Sequence, residues 1–403
     1  MFNSDGIQKP QSEAGLREGK AINGPKGWLR RILLEVATYL LYNVLTHLLP
    51  PSQPRQEPGK IVRASAWLTE GKLKWSTAAS RYREAANGFV CFATPELDCL
   101  VCVETNSGKE VWKRRLRSHI AAYPIVSDTT VVYGDFDKML CALDLQTGHE
   151  KWNLQMEHRI VTPGAIDNGR LWFGVSDGTY RSVDVETPDE MSVLDLEEFN
   201  TEAPSVSEQR VCFNWGSSFV VADSRSARLL WSPSFPGTLE VLMSPAIHRG
   251  IVYCHTEDGY LRAHDVEAKK EIWSHQVYQE WCTKVAVGSG MVFSRFSNNQ
   301  IRAFDVETGE VRWTFDTEGT GVSAPGYSNG SVFIVSCGGR GMREFCLNAE
   351  TGAPIWRFSL FDEEIDEWGE DILMELAFHA PLCDGGTALF NDVSGNLIAV
   401  GND

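Results

Sequence analysis

Short runs of alternating apolar and polar residues, separated by polar turns, recur through most of the chain. The stretch 299–313 reads NQIRAFDVETGEVRW. Its first half predicts a strand over Ile301–Phe304, and its second half predicts another strand that ends at Trp313. Between them lies a tight turn in which Gly309 can take a positive φ at little cost. Two strands joined in this way form a hairpin, and one hairpin cannot bury its own apolar face.

The hairpin recurs at a period near forty residues. Each copy ends at a Trp position, and an acidic or amide residue stands eight positions before it. The positions are Trp112, Trp152, Ser192, Trp231, Trp273, Trp313 and Trp356. Ser192 replaces the aromatic residue in the third copy. A period of this length with several short strands per unit is typical of a β-propeller blade.

The repeat has the form A-x-D-x-x-T-G-x-x-x-W and resembles the quinoprotein-type (PQQ-like) propeller repeat over roughly residues 70–403. That family includes quinone-dependent alcohol dehydrogenases and non-enzymatic propellers such as the bacterial outer-membrane-protein assembly lipoprotein. The resemblance implies that the repeat Trp residues dock one blade on the next. Those residues are Trp75, Trp112, Trp152, Trp231, Trp273, Trp313 and Trp356. The resemblance does not establish which function this chain has, because one fold hosts many functions.

The two ends of the repeat region complement each other. The last copy stops at SGNLIAVGND, before its outermost strand, while the strand around Trp75 resembles only the end of a blade. We expect that strand to complete the last blade. The sequence therefore predicts an all-β propeller of eight four-stranded antiparallel blades, closed by strand exchange between the termini. Closure removes exposed sheet edges.

The first part of the chain follows a different pattern. Residues 1–27 are polar, and we expect them to be disordered. Residues 28–49 read WLRRILLEVATYLLYNVLTHLL and predict an amphipathic helix. This helix could anchor the chain in a membrane, dock on a partner or an interface, or pack on the propeller itself. Residues 50–66 are rich in proline and predict a linker, which leaves 67–403 for the propeller.

The net charge and the cysteine content argue against some classes of function. The net charge of −17 argues against nucleic acid as the main partner and is compatible with a basic protein. The ten cysteines fall mostly within strand patterns, and we expect them to be reduced, small apolar residues. No two are adjacent, whereas the quinone dehydrogenases carry a vicinal disulfide near the cofactor. The localisation stays open between membrane-associated, through 28–49, and cytoplasmic.

The loops from the outermost strand of one blade to the innermost strand of the next should gather around one mouth of the axial channel. They carry residues that could bind a peptide or a small ligand, namely Arg81, His119, His158, Arg159, Trp281 and His379. The longest of these loops contains the acidic stretch FDEEIDEWGED. Its residues Asp362, Glu363, Glu364, Asp366, Glu367 and Trp368 could engage a basic partner or a calcium ion, or form an ordinary solvated loop.

No catalytic motif is present: the sequence has no Gly-rich phosphate loop opening a helix, no HExxH and no GxSxG. The sequence favours a non-catalytic scaffold or binding module for a protein or peptide partner, with no cofactor and no resident metal. The alternative is a PQQ-dependent oxidoreductase or quinone sensor that uses calcium at the axial mouth.

Overall fold

The computed structural model describes residues 60–63, 69–79, 83–162, 164–196, 203–215, 218–233, 235, 241–277, 284–296, 299–317, 321–337, 342–359, 380–391 and 396–401. These residues fall in one compact unit that spans 58–403. The helix expected over 28–49 lies outside them. No helix among the described residues is long and apolar enough to cross a membrane.

The described chain is an all-β propeller of eight blades, and the first four blades each have four antiparallel strands from the channel outwards. Three strands precede them: β1 (Lys60–Arg63), β2 (Thr69–Glu70) and β3 (Lys72–Ala78). Blade 1 contains β4 (Arg83–Ala86), β5 (Phe89–Ala93), β6 (Cys99–Glu104) and β7 (Glu110–Arg115). Blade 2 contains β8 (Ile125–Val126), β9 (Thr130–Gly134), β10 (Met139–Asp144) and β11 (Glu150–Gln155). Blade 3 contains β12 (Ala165–Asp167), β13 (Arg170–Gly174), β14 (Thr179–Asp184) and β15 (Ser192–Asp195). Blade 4 contains β16 (Ser205–Ser207), β17 (Arg210–Trp215), β18 (Ser218–Asp223) and β19 (Leu229–Trp231).

The last four blades repeat this plan with additions. Blade 5 contains β20 (Val241–His248), β21 (Ile251–Thr256), β22 (Tyr260–Asp265) and β23 (Lys270–Gln276). Blade 6 contains β24 (Ala286–Gly288), β25 (Met291–Phe296), β26 (Gln300–Asp305) and β27 (Val311–Asp316). In blade 7 the innermost strand has two pieces, β28 (Gly321–Val322) and β29 (Gly326–Ser328), followed by β30 (Ser331–Cys337), β31 (Met342–Asn348) and β32 (Pro354–Ser359). Blade 8 contains β33 (Leu382–Asp384), β34 (Thr387–Asn391) and β35 (Asn396–Gly401), and its outermost strand is β3.

The turns of the repeat hairpins are held by their acidic residue. In blade 6 the Asp305 carboxylate accepts backbone hydrogen bonds from Glu307 at 3.0 Å and Thr308 at 2.9 Å. Gly309 then takes a φ of 71°, a conformation that glycine adopts without strain. The same glycine lies against the Trp273 ring of the preceding blade, and an added Cβ would stand 2.7 Å from it. The Asp and the Gly of the repeat therefore serve both the turn and the contact between blades.

Indole groups join neighbouring blades. The indole N–H of Trp112 donates to the Leu145 carbonyl of the next blade at 2.8 Å, and Trp313 donates to Ala349 at 2.8 Å. In each pair the acceptor is the residue that follows the acidic or amide residue of the turn. The bonds from Trp75 to Thr105, Trp152 to Val185 and Trp273 to Val306 follow the same rule. Each of these rings is buried or half-buried, so the bond also satisfies its only polar group.

Blade 3 replaces the missing repeat Trp with Trp172. Ser192 stands in the Trp position and pairs with Ser182, which in turn pairs with Trp172 two strands further in. Trp172 is fully buried, and its indole N–H donates to the Ser224 carbonyl at 3.0 Å. Ser224 follows Asp223, so the acceptor keeps the position it has in the other blades. The indole therefore comes from a strand nearer the axis, while its hydrogen bond to the next blade is kept.

Blades 6 and 7 each carry an additional strand on the outer edge. β1 pairs in parallel with β27, and β2 pairs in parallel with β32. The stretch Lys60–Arg63 falls within the predicted linker 50–66, but here it is a strand. Without β1, the backbone N–H and C=O groups on the outer edge of β27 would be unpaired. An extended segment that runs along this edge forms hydrogen bonds with them.

β3 joins the N-terminal side of the propeller to its last blade. It pairs antiparallel with β35, with Lys72 opposite Gly401 and Ala78 opposite Asn396. Blade 8 also bonds to blade 1: the Asp384 carboxylate accepts from Gly88 N at 2.8 Å and from Thr105 Oγ1 at 2.6 Å. That the β3–β35 pairing holds the ring closed stays a prediction.

We expect Trp172→Ala to lower the free energy of unfolding by about 3–5 kcal/mol, as for large-to-small changes of buried aromatic residues. Trp172→Phe should cost less, because it keeps most of the volume and loses the bond to Ser224. Adding Ser192→Trp to Trp172→Ala should recover part of the loss. Urea unfolding monitored by circular dichroism measures all three. A loss below about 1 kcal/mol for Trp172→Ala would contradict the assigned role.

Two truncations test the closure. A chain that lacks residues 1–66 keeps β3 and should fold, with a small loss from the removal of β1. A chain that lacks residues 1–78 loses β3 and the indole of Trp75, and we expect it to unfold at a clearly lower temperature or to aggregate through the exposed edge of β35. Differential scanning calorimetry compares the two. Equal midpoints would show that the pairing does not close the ring.

Candidate functional site

The innermost strands surround an axial channel. Neighbouring strands contact one another around the ring, including β16 with β20, β24 with β29, and β33 with β4. Because the strands of a blade alternate in direction, the loops that cross to the next blade emerge on the same side as the turns between second and third strands. We call this side the mouth face. The hairpin turns with the repeat Asp lie on the opposite side.

Four polar residues on or next to innermost strands interact electrostatically, and we call them the channel cluster: Arg83, Glu84, Tyr123 and Lys284. Arg83 and Glu84 lie on β4, Tyr123 precedes β8, and Lys284 precedes β24. Each of them is partly exposed. Blade 6, which carries Lys284, stands three blades away from blade 1. Their electrostatic interaction therefore runs through the interior of the ring.

Burial shifts the proton equilibria of two members of the channel cluster, Glu84 and Arg83. Burial raises the pKa of Glu84 from 4.5 to about 7, although the charges of Arg83 and Lys284 oppose the rise. Burial also lowers the pKa of Arg83 to about 10, opposed by Tyr123 and Glu84. Glu84 is partly exposed, but protein atoms surround it deeply enough to disfavour its charge. It can therefore exchange a proton near neutral pH, and the two cations could hold an anionic group beside it.

On the mouth face, the structure brings together two of the residues singled out from the sequence. His119 and Arg159 lie in consecutive crossing loops and are both exposed. Between them stands Phe136, in the turn between β9 and β10, with 47% of its surface exposed. The His119 carbonyl accepts from Phe136 N at 3.0 Å, and the Arg159 guanidinium lies 5.5 Å from the centre of the Phe136 ring.

The remaining sequence candidates are not part of this group. His158 is exposed next to Arg159. Arg81, Trp281, His379 and the acidic stretch with Asp362, Glu363, Glu364, Asp366, Glu367 and Trp368 lie outside the described residues.

The sequence reasoning missed Glu84, although a signal existed. The pairing of the first two strands aligns Glu84 with small residues on the innermost strands of other blades: Ala165, Ala246, Ala286 and Gly326. The other blades have small or apolar residues at this position, including Ile125 and Leu382, so a carboxylate there departs from the repeat. The repeat has to be aligned on its innermost strand before this departure becomes visible, whereas the Trp positions align the outermost strand.

The described residues lack the ligands for the calcium ion that the quinone alternative uses. Among them, no group of three or more His, Cys, Asp or Glu residues could hold a metal ion. Calcium prefers six to eight oxygen ligands, and the channel cluster offers one carboxylate beside two cations. Glu344, between blades 7 and 8, is fully buried, and neither of its oxygens has a hydrogen-bond partner. Its neighbours include the thiols of Cys346 and Cys383, which are not ligands that calcium prefers.

Comparison with known proteins gave one family and several structures. A family model described as outer membrane protein assembly factor BamB matches residues 59–275 and 257–402. BamB from Moraxella catarrhalis aligns with a TM-score of 0.61 at 14% sequence identity, over 83% of this chain and 98% of that one. Sqt1 from Saccharomyces cerevisiae gives 0.57 at 13% identity, over 83% and 99%.

The quinohemoprotein alcohol dehydrogenase ADHIIG from Pseudomonas putida HK5 gives a TM-score of 0.53 at 11% identity, over 82% of this chain and 76% of that one. At these identities the likeness to solved structures shows the fold alone. The search of curated proteins gave no match.

We expect Glu84→Gln to change how stability depends on pH. The folded state raises the pKa of Glu84 to about 7, so between pH 4.5 and 7 the folded state binds the proton more tightly than the unfolded state. The stability that comes from this protonation is full below pH 4.5 and is lost as the pH rises through 7. Glu84→Gln should remove that loss, so its stability relative to wild type should rise across this range.

Urea midpoints measured from pH 4 to pH 8 test this expectation. Glu110→Gln removes an exposed carboxylate on the outer strand of the same blade and serves as the matched control. Parallel pH curves for wild type and Glu84→Gln would contradict the raised pKa.

Proposed function

Because this chain belongs to the family described as outer membrane protein assembly factor BamB, we propose that it is a non-catalytic propeller that binds a protein or peptide partner on its mouth face. An assembly factor has to contact the proteins that it assembles. Propellers suit this task, since their crossing loops present side chains from several blades on one rigid surface.

Phe136 is the observation that carries the proposal. Nearly half of its surface is exposed, on the same face as the crossing loops. Aromatic residues and arginines dominate the binding energy of protein interfaces, and here the Arg159 guanidinium lies against the Phe136 ring. A partner that covers the ring would bury apolar surface and find a cation at its rim.

The backbone around Phe136 holds it in place. Phe136 N donates to the His119 carbonyl at 3.0 Å, and Ser176 N donates to the Arg159 carbonyl at 2.8 Å. Ile120 forms a bridge with Asp135, and Ile160 forms a bridge with Val175. Each crossing loop is thereby tied to the neighbouring turn of the next blade. A surface ordered before binding loses less conformational entropy when the partner arrives.

Two finer parts of the proposal rest on sequence alone. We propose that residues 28–49 tether the propeller to a membrane or to a docking partner, and that the acidic stretch 362–371 attracts a basic segment of the mouth partner. Charge attraction of this kind raises association rates more than affinity.

A quinone-dependent activity is the alternative function. A quinone chromophore after incubation with quinone and calcium, together with alcohol-dependent dye reduction, would overturn the non-catalytic proposal.

Photo-crosslinking from position 136 tests the mouth partner. With p-benzoylphenylalanine in place of Phe136, irradiation of intact cells should give a discrete crosslinked species, identified by mass spectrometry. The matched control places the same group at Val193, which is 52% exposed on the outer strand of blade 3, away from the mouth face. Arg159→Ala should weaken the crosslink at 136 and leave the control unchanged.

Equal crosslinks from positions 136 and 193 would show non-specific contact and contradict the proposal. Absence of any crosslink at 136, with the protein folded and abundant, would contradict it as well.

A further inference from the structure

The outer edge of blade 1 combines an open strand with an unusual run of cations. β7 ends its sheet, and none of the described residues pairs with its outer edge. It contains Lys113, Arg114 and Arg115 in succession, and Arg117 follows. No other outermost strand that the structure describes has adjacent cations. This stands out in a chain of net charge −17. We call these four residues the basic edge.

Two residues of the basic edge, Arg114 and Arg117, form ion pairs within the propeller. Glu150 of blade 2 forms ion pairs with Arg114 at 2.9 Å and with Arg117 at 3.2 Å. Arg115 stands 3.9 Å from Asp98, at the limit of an ion pair, and 83% of its side chain is exposed. Lys113 is exposed and makes no hydrogen bond or ion pair with the described part of the chain. Lys113 and Arg115 are therefore the cations accessible to a ligand.

The backbone of the same two residues also points outwards. Leu116 N donates to the Asp98 carbonyl, and in an antiparallel pair every second residue bonds to the partner strand. Leu116 belongs to the bonding set, so Lys113 and Arg115, opposite Val101 and Cys99, belong to the other set. Their N–H and C=O groups face away from β6. Accessible charge and free backbone groups thus coincide on alternate residues of one edge.

The chain itself shows what fits such an edge. In blade 6, β1 pairs in parallel with β27 from Trp313 to Asp316. Trp313 holds the repeat position that Trp112 holds in blade 1, so the covered segment corresponds to residues 112–115. Thr314 and Phe315 are buried. In blade 7, β2 covers Trp356 and Arg357, the first two positions of the same segment. The outermost strand of a blade in this propeller therefore accepts a further parallel strand.

We propose that the basic edge of blade 1 binds an acidic extended segment of a partner protein as a fifth, β1-like strand. The main chain of that segment would pair with the outward groups of Lys113 and Arg115, and its alternate Asp or Glu side chains would face the two cations. This site lies on the outer wall of the propeller. It is independent of the partner proposed for the mouth face.

Fluorescence anisotropy with a synthetic peptide tests the proposal. The probe is a short, labelled peptide of alternating Glu and Val, compared with its Lys–Val counterpart and with a Glu–Val peptide N-methylated on alternate amides. The Glu–Val peptide should bind the full-length protein, and binding should weaken as salt rises. The Lys–Val peptide should not bind. The N-methylated peptide keeps the charge and cannot form the strand, so its binding should also be lost.

Matched protein variants separate the edge from general charge. Lys113→Glu with Arg115→Glu should weaken the Glu–Val peptide by about tenfold or more, because two exposed attractions become repulsions. Arg225→Glu with Arg228→Glu makes the same change of net charge at exposed positions in blade 4 and should leave binding within about twofold. Lys113→Pro removes an outward N–H without breaking the ladder to β6, so it should weaken binding more than Lys113→Ala does.

Three results would overturn the proposal: no binding to the wild type, equal binding of the N-methylated peptide, or equal loss in the blade 4 variant. Sedimentation of the wild type alone adds a fourth. A concentration-dependent dimer that the blade 1 reversal abolishes would show that another copy of this chain, rather than an acidic partner, occupies the edge.

Discussion

The propeller depends on one interaction repeated between blades: an indole N–H bound to a carbonyl of the next blade, with the ring packed against the turn that carries the carbonyl. The carbonyl is available because the preceding carboxylate or amide folds the turn, as Asp305 does by accepting two backbone bonds. The ring fits because glycine leaves room for it, as Gly309 does for Trp273. Each repeat residue is thus constrained by its own blade and by the blade before it. A change at one of them affects an interface as well as a hairpin.

The sequence predicted the features that this interaction governs. The number of blades follows from the spacing of Trp112 to Trp356 and from the partial repeats at both ends, and the structure confirms eight four-stranded antiparallel blades. Blade 3 shows the limit of such reasoning. In the sequence, Ser192 is a repeat position that has lost its Trp. In the folded sheet, Trp172 lies opposite it two strands away and donates to the equivalent carbonyl of the next blade. Register of this kind is a property of the folded sheet and cannot be read from a linear spacing.

The candidate sites were less predictable for a related reason. His119 and Arg159 could be assigned to the mouth face because they lie in crossing loops. Phe136 could not, since it lies in an ordinary turn, and its exposure depends on how the neighbouring loops pack. The additional strands β1 and β2 also escaped prediction, because their pairing partners lie at the far end of the chain. The ring geometry brings Lys284 and Glu84 close enough for their charges to interact.

The position of β1, β2 and β3 has a consequence for synthesis on the ribosome. These strands leave the exit tunnel before the strands of blade 1, yet they pair with β27, β32 and β35, which are made much later. At rates of about 5–20 residues per second, the early strands wait for tens of seconds with their backbone groups unpaired. Blades 1 to 5 can form in order of synthesis, whereas blade 8 cannot be completed until β35 has been made. Pairing between such distant residues is slow, so β1, β2 and β3 stay accessible to chaperones and to other partners for longer than the strands of blades 1 to 5.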